Sequence, residues 1–239
     1  ICKPLQHGAN IVVYSTTKFI GGHGLSIGGL IIDGGTFDWE KAGDKFPMMN
    51  SPDPSYHGAI WSQAAKPLGP IAYILRARVI LLRDLGSAMS PFNAFTFIQG
   101  LETLPLRMER HCSNAKQVAD FLNKHNKIDK VIYPSLMDGV HGDRANKYLN
   151  GGYGSLLGFE LKDGESAGKK FIDSLKLLYH VANIGDARSL AIHPASTTHS
   201  QLSTNEQLSS GVTPGYVRLS IGIEHIDDIL QDLDQALNK

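Results

Sequence analysis

Residues 10–24 read Asn10-Ile11-Val12-Val13-Tyr14-Ser15-Thr16-Thr17-Lys18-Phe19-Ile20-Gly21-Gly22-His23-Gly24. The apolar run Ile11–Val13 is typical of a short buried strand, and the hydroxyl cluster after it predicts a loop at the strand end. Lys18 follows that cluster and precedes a glycine-rich run. An amine that leaves a strand end among apolar neighbours loses hydration, which favours its neutral, nucleophilic form.

The residues beside Lys18 indicate one class of ligand. A neutral amine forms a Schiff base with a carbonyl. The hydroxyls of Ser15 and Thr17, with nearby backbone N–H groups, are suitable donors to a phosphate. A carbonyl and a phosphate on one small molecule indicate pyridoxal 5'-phosphate, which serves as an electron sink. The alternative is a surface lysine on a loop, since Ser and Thr often precede Lys in loops.

The composition excludes several classes of protein. The 239 residues suffice for one large domain or two modest ones. Lys plus Arg and Asp plus Glu number 23 each, so no net charge favours nucleic acid or an anionic membrane as a partner. Cys2 and Cys112 are the only cysteines, which favours a reducing cytoplasm over a secreted disulfide scaffold. No apolar run is long enough to span a bilayer.

We call the segment that contains Lys18 and connects the first strand to the next one the lysine loop. The pattern after it predicts a second strand and then an irregular segment. Leu25–Ile32 is apolar on both faces, so we expect a buried strand that, paired with the first, holds the loop rigid. Residues 37–62 contain three prolines that break regular structure, which predicts a surface excursion.

Helical signals follow. Residues 69–86 have apolar residues at helical spacing. Ser90 and Pro91 are typical of an N-cap and a first helical position. The helical pattern then continues to about residue 124, with a break predicted near Pro105.

The C-terminal half alternates between strands and helices. Strands are predicted around residues 131–133 and 156–161, a helix over 166–178 and a closing amphipathic helix over 226–237. This alternation predicts a small α+β or α/β domain.

Two further features could mark a site. Arg218 lies within an apolar strand pattern, where a guanidinium needs an anion, and its planar fork matches a carboxylate. An internal salt bridge with Glu224 or Asp227 explains it equally well. His193 and His199 have no acidic or thiol ligand at metal-binding spacing, so a hydrogen-bonded loop that lines a pocket is favoured and no metal is expected.

The lysine stretch resembles a known enzyme family. Ser15-Thr16-Thr17-Lys18 followed by Gly21-Gly22-His23-Gly24 is similar to the cofactor-lysine segment of the cysteine/methionine-metabolism family of pyridoxal-phosphate enzymes. Within that family the chain most resembles the O-acetylhomoserine sulfhydrylases. The segments that carry this closer resemblance are Phe37-Asp38-Trp39, Pro52-Asp53-Pro54-Ser55-Tyr56-His57-Gly58, Ser90-Pro91-Phe92-Asn93-Ala94-Phe95 and Asn183-Ile184-Gly185-Asp186-Ala187-Arg188-Ser189-Leu190.

The resemblance implies a fold and an assembly. The fold is the α/β pyridoxal-phosphate-dependent transferase fold, aspartate aminotransferase-like and of fold type I. Residues 1–106 would be the C-terminal part of the cofactor-binding large domain, and residues 107–239 the smaller α+β C-terminal domain. The chain would then be the C-terminal part of a subunit, inefficient by itself, in a cytoplasmic homo-oligomer that is a dimer of dimers.

The resemblance also implies roles for single residues. Lys18 would hold the cofactor as a Schiff base, and Ser15 and Thr17 would bind its phosphate. Arg218 matches the arginine that grips the α-carboxylate of the amino-acid substrate. Asn183 falls where many relatives carry a serine that assists this grip.

The implied reaction is a γ-replacement on O-acetylhomoserine. Sulfide or a thiol would replace acetate and give homocysteine or methionine. The alternatives are a methionine γ-lyase or cystathionine γ-synthase-like activity, and a non-catalytic remnant that binds partners. The lysine, the two hydroxyls and Arg218 argue against the remnant, because a decayed site has no physical need for them.

Overall fold

The computed structural model describes all 239 residues, and the chain forms two compact units. We call residues 3–16 and 28–95 the N-terminal unit, and residues 1–2, 17–27 and 96–239 the C-terminal unit. The sequence-based division at residue 106 concerns the domains of a longer subunit, and it stays a prediction.

The N-terminal unit contains a two-stranded antiparallel sheet of β1, Ile11–Ser15, and β2, Gly29–Asp33. Both strands were predicted, but their burial was not predicted correctly. Val13 is 70% exposed and Ile31 is 41% exposed, because a ribbon of two strands offers too little structure to cover both faces.

The second strand also begins later than predicted. Residues 25–27 belong to the C-terminal unit, where the Ser26 hydroxyl lies 2.9 Å from the Thr96 hydroxyl. This hydrogen bond fixes the end of the lysine loop before β2 begins.

Short helices and an aromatic core complete the N-terminal unit. Residues 37–62, predicted as a surface excursion, in fact supply Trp39, Met49 and Trp61 to this core. The reason is aromatic packing, since Trp39 stacks on Tyr73 with ring centroids 5.9 Å apart. The helices are α1 (Pro47–Asn50), α2 (Trp61–Ala64), α3 (Ala72–Arg76), a π-helical turn (Ala77–Leu82) and α4 (Arg83–Leu85).

The predicted break between two long helices is confirmed. Helix α5 spans Pro91–Glu102 and α6 spans Leu104–Leu122. Ser90 caps α5 as predicted, since its hydroxyl accepts a hydrogen bond of 3.2 Å from the Asn93 N–H. Pro105 lies in the first turn of α6, where its missing N–H costs no helical hydrogen bond.

The C-terminal unit is built on a mixed sheet of five strands. Its strands and helices after α6 are β3 Ile128–Ile132, α7 Gly139–Tyr148, β4 Leu156–Leu161, α8 Gly164–Ser174, β5 Tyr179–His180, β6 Leu190–Ile192, α9 Thr204–Ser209, β7 Tyr216–Ser220 and α10 Ile226–Leu237. The strand order is β3-β4-β7-β6-β5, and all strand pairs are antiparallel except β5 with β6.

The strands predicted around residues 131–133 and 156–161 are confirmed, although β3 begins and ends earlier than predicted. The helix predicted over 166–178 is present but ends at Ser174. The short elements β5 and α9 were not predicted.

The core of this unit lies between the sheet and helices α6, α8 and α10. Val217 and Leu219 of β7 are fully buried in it. Because side chains alternate along a strand, Arg218 between them faces the opposite side of the sheet. No helix of the chain combines the length and the apolar character needed to cross a membrane.

Candidate active site

Lys18 lies in a tight turn directly after β1. Its backbone, with φ −88° and ψ −125°, interrupts the helical turn of Thr16–Ile20. The chain then folds back, and the Gly22 N–H donates to the Lys18 carbonyl at 2.7 Å. This geometry leaves the Lys18 side chain half-buried.

Lys18, Asn183 and Arg218 form one hydrogen-bonded cluster. The Lys18 amine donates to the side-chain oxygen of Asn183. Arg218 Nη2 donates to the main-chain oxygen of Asn183 at 3.1 Å. Three residues chosen from separate parts of the sequence are thus joined within the C-terminal unit.

The Arg218 side chain has no anionic partner. Its Nε is buried and has no hydrogen-bond partner, and none of the ion pairs of the chain includes it. Burial lowers the pKa of Arg218.

The salt-bridge explanation of Arg218 is therefore wrong. The Glu224 carboxylate accepts hydrogen bonds from the Ser189 N–H and hydroxyl, at 2.6 and 2.9 Å. The Asp227 side chain is 83% exposed and lies beside His225.

The loop that carries Asn183 is fixed at both ends. The Gly185 N–H donates to the Ser220 hydroxyl at 3.0 Å, which ties the loop to β7. The Ala187 N–H donates to the Gly22 carbonyl at 2.8 Å, which ties it to the lysine loop. A Cβ at Gly185 would lie 2.8 Å from the Phe19 nitrogen, so this close approach requires glycine.

The two predicted phosphate ligands lie beside Lys18 in the chain. Ser15 is the exposed last residue of β1, opposite Gly29 of β2. Thr17 is half-buried and lines a cavity of about 400 Å³ in the C-terminal unit, together with Ser26 and Gly100. Their binding of a phosphate stays a prediction.

The hydrogen bonds predicted for the loop at His193 are confirmed, whereas its predicted place at the wall of a pocket stays a prediction. His193 Nδ1 lies 2.8 Å from the Ser196 hydroxyl, and Nε2 lies 2.8 Å from the Pro214 carbonyl. Both ring nitrogens thus have protein partners. The chain contains no cluster of three or more His, Cys, Asp and Glu side chains that could hold a metal ion.

Sequence reasoning missed one residue that contacts the lysine loop. Arg107 is 5% exposed and donates to the carbonyls of Phe19 and Ile20, at 2.7 and 3.2 Å. Helical spacing could have indicated its burial, because Arg107 stands four residues before His111 and both lie on the buried face of α6.

The chain matches a known enzyme family over nearly its whole length. Residues 1–238 match the family described as Cys/Met metabolism PLP-dependent enzyme. The chain belongs to this family. The resemblance and the transferase fold inferred from the sequence are thereby confirmed, and pyridoxal phosphate is the cofactor that gives the family its name.

Proteins similar to this chain include a sulfhydrylase and a homocysteine synthase. The chain is 59% identical over 243 residues to an O-acetyl-L-homoserine sulfhydrylase of Leptospira meyeri, covering 99% of this chain and 54% of that protein. It is 48% identical over 237 residues to a homocysteine synthase of Schizosaccharomyces pombe, covering 99% of this chain and 54% of that protein. The chain thus spans about half the length of the curated relatives it matches.

A solved structure supports the fold. A Campylobacter jejuni protein, described as an O-acetylhomoserine (thiol)-lyase, superposes with a TM-score of 0.91 at 40% identity. The match covers 100% of this chain and 56% of that one, which carries an N'-pyridoxyl-lysine-5'-monophosphate group.

The residues of the cluster fit the family cofactor and an amino-acid substrate. Lys18 supplies a primary amine, and Arg218 supplies a buried, unpartnered guanidinium nitrogen. No carboxylate ion-pairs with either side chain. The site therefore favours an anionic ligand that also carries a group reactive toward an amine.

Proposed function

We propose that this chain carries the cofactor lysine and the substrate-carboxylate site of an enzyme that transfers sulfur to O-acetylhomoserine. Sulfide, or a thiol, replaces acetate at the γ-carbon and gives homocysteine, or methionine. The observation that carries the proposal is the Lys18–Asn183–Arg218 cluster, with its unpartnered Arg218 Nε. The sulfhydrylase and homocysteine synthase relatives favour sulfide as the acceptor.

Each residue has a defined task in the proposal. Lys18 would hold pyridoxal phosphate covalently, and Ser15 and Thr17 would bind its phosphate. The bound cofactor supplies an electron sink for charge that develops on the substrate. Arg218 binds the substrate α-carboxylate with its planar fork, and Asn183 orients the arginine through its main-chain oxygen.

With its amine free, Lys18 would have a second task. Its freed Nζ moves protons between Cα and Cβ of the substrate, which γ-elimination of acetate requires. The Asn183 side-chain oxygen, which accepts from Nζ, keeps the amine directed into the cluster.

The first experiment tests Lys18 itself. The chain is incubated with pyridoxal phosphate and reduced with borohydride, and the modified lysines are mapped by mass spectrometry. We expect a phosphopyridoxyl group on Lys18, its loss in Lys18→Ala and its retention in Lys66→Ala, which removes an exposed lysine paired with Glu40. Equal labelling of many lysines, unaffected by Lys18→Ala, would contradict the assignment.

The second experiment tests the reaction. Homocysteine formation from O-acetylhomoserine and sulfide is measured for the 239-residue chain and for the chain extended to the length of its relatives. We expect nearly all of the activity in the longer polypeptide. Labelling of Lys18 without homocysteine formation in either would mean that the cofactor serves another reaction.

The proposal extends to assembly and compartment. We propose a homo-oligomer, a dimer of dimers, in the cytoplasm, with a domain division at residue 106. Both cysteines are free, which supports a reducing compartment. Sedimentation of the longer polypeptide tests the assembly, and a monomer would contradict it.

A further inference from the structure

The guanidinium of Arg107 donates hydrogen bonds to three backbone carbonyls, which lie in the lysine loop and in α5. Nη1 donates to the Phe19 carbonyl at 2.7 Å, and Nη2 donates to the carbonyls of Gly100 and Ile20 at 2.7 and 3.2 Å. Nε donates to the Thr103 hydroxyl at 3.2 Å. Each of the three guanidinium nitrogens therefore donates at least one hydrogen bond.

This guanidinium is buried without a carboxylate. Arg107 is 5% exposed and takes part in no ion pair of the chain. Burying a charge is costly unless neighbouring groups satisfy it. Here only carbonyl and hydroxyl oxygens do so, and two of them belong to the residues directly after Lys18.

The surrounding glycines leave room for this contact. A Cβ at Gly22 would lie 2.3 Å from Arg107 Nη1, and a Cβ at Gly100 would lie 2.2 Å from the Ile20 carbonyl. Gly22 also has φ +71°, in the left-handed region that favours glycine. The lysine loop can thus lie directly against α5 and the start of α6.

One helical turn later, α6 contacts the lysine loop again. The ring of Phe19 meets the ring of His111 edge-on, with centroids 5.6 Å apart and an interplanar angle of 86°. His111 Nδ1 lies 2.6 Å from the Ile221 carbonyl, just beyond β7. The face of α6 therefore joins the segment after Lys18 to the strand that carries Arg218.

We propose that Arg107 is a positioning residue for Lys18, and this proposal rests on the function proposed above. Its fork fixes the two peptide groups that follow Lys18, so that the amine stays at the Asn183 side chain. Two carbonyls held by two nitrogens of one planar group fix both position and orientation. A lysine at this place, with a single ammonium, cannot reproduce that arrangement.

The test separates positioning from a contribution to stability alone. The variants are Arg107→Ala and Arg107→Lys, and the control is Asp232→Ala. Asp232 is also 5% exposed, and its carboxylate accepts from the N–H groups of Lys176, Leu177 and Leu178, away from the lysine loop. The first readout is amide hydrogen exchange of the chain without cofactor.

We expect both Arg107 variants to exchange about 10- to 100-fold faster over residues 18–24, as expected for the loss of charge-assisted hydrogen bonds. Asp232→Ala should accelerate exchange over residues 176–178 and leave residues 18–24 unchanged. If Arg107→Ala does not fold, Arg107→Lys decides the outcome. Protection of residues 18–24 equal to that of the unsubstituted chain would overturn the proposal.

The second readout is the rate at which pyridoxal phosphate is captured at Lys18 by borohydride reduction. Millimolar guanidinium should restore that rate in Arg107→Ala, whereas urea, which is planar but neutral, should not. Faster exchange with an unchanged capture rate would leave Arg107 a purely structural role and overturn the positioning proposal. Absent capture both in the unsubstituted chain and in the chain extended to the length of its relatives would contradict the proposed function instead, while the exchange result would stand.

Discussion

At the scale of single residues, two arginines of the C-terminal unit, the buried Arg107 and the half-buried Arg218, have no carboxylate partner. All three guanidinium nitrogens of Arg107 donate hydrogen bonds, two to backbone carbonyls and Nε to the Thr103 hydroxyl, whereas Arg218 leaves Nε unpartnered. A fully satisfied guanidinium suits a fixed role in the scaffold. An incompletely satisfied one costs stability unless a ligand completes it, so the two side chains suit different tasks.

Replacing Arg218 by methionine tests this difference. Because methionine removes a half-buried charge and keeps an unbranched apolar stem, we expect the free energy of unfolding to stay the same or rise. Binding of L-homoserine, which has the α-carboxylate without the acetyl group, should weaken about 10- to 100-fold, as expected for loss of a charge-assisted hydrogen bond worth about 1.5–3 kcal/mol. Denaturant titration and ligand titration of the cofactor-loaded protein measure the two effects.

The matched control is Arg110→Met, which changes an exposed arginine of α6. It should leave both quantities unchanged. Full retention of L-homoserine affinity in Arg218→Met would contradict the assignment of the carboxylate site.

His111 gives a prediction for the dependence of stability on pH. Burial lowers the pKa of His111 below its ordinary value of 6.5, and its Nε2 is buried without a partner. The unfolded chain therefore binds a proton at higher pH than the folded chain does. His111 favours folding fully above about pH 6.5, and this contribution falls as the pH drops toward the folded pKa.

We expect the free energy of unfolding to fall less steeply between pH 7 and pH 5 in His111→Gln than in the unsubstituted chain. Urea denaturation at several pH values measures the slope. His141→Gln, at an exposed position, is the control and should keep the original slope. An unchanged slope in His111→Gln would show that other groups set the pH dependence.

At the scale of elements, close approach of the lysine loop to α5 depends on Gly100. Alanine is the better helix former by about 1 kcal/mol, so propensity alone predicts that Gly100→Ala stabilises the protein. The close packing around Gly100 predicts that the substitution destabilises the protein, because the added Cβ would lie 2.2 Å from the Ile20 carbonyl. Overpacking of this kind costs about 1–3 kcal/mol, so we expect the steric cost to exceed the gain in helix propensity.

We therefore expect Gly100→Ala to lower the free energy of unfolding and to accelerate hydrogen exchange over residues 18–24. Gly29→Ala is the control, since its Cβ would meet the Tyr14 carbonyl at an ordinary 3.6 Å. A stabilised Gly100→Ala with a protected lysine loop would refute the predicted clash.

At the scale of the whole molecule, the two units have separate cores of unequal size. The core of the C-terminal unit includes Phe159, fully buried and edge-on to Phe171 at 5.4 Å. Both tryptophans, Trp39 and Trp61, lie in the core of the N-terminal unit. Tryptophan fluorescence thus reports on the N-terminal unit, whereas far-UV circular dichroism includes the helices and strands of both.

Phe159→Ala should lower the free energy of unfolding by about 3–5 kcal/mol, because it removes a buried ring and leaves a cavity. Denaturant titration followed by far-UV circular dichroism measures this loss. Phe92→Ala, at a position that is 72% exposed, should change stability by less than about 0.5 kcal/mol. Equal effects of the two substitutions would contradict the assignment of the core.

Local signals in the sequence were predictive where neighbouring residues decide the structure. Ser90 and Pro91 start α5, the closing helix spans Ile226–Leu237 as predicted, and the apolar strand pattern around Arg218 forms β7. Burial was less predictable. Apolar residues of β1 and β2 are exposed, and tryptophans of the irregular segment are buried, because burial depends on which distant elements are present to cover a side chain.

The order of residue types along the chain establishes which chemistry is available at the site: an amine after a strand, hydroxyls beside it, glycines that let the loop fold back, and a guanidinium among apolar residues. The tertiary structure alone decided which of these groups meet. Asn183 reaches Lys18 across 165 positions of the chain, and Arg107 reaches Phe19 across 88. Spacing along the chain specifies contacts within a turn or a strand. Contacts between distant segments arise only when the sheet and α6 pack around a common core.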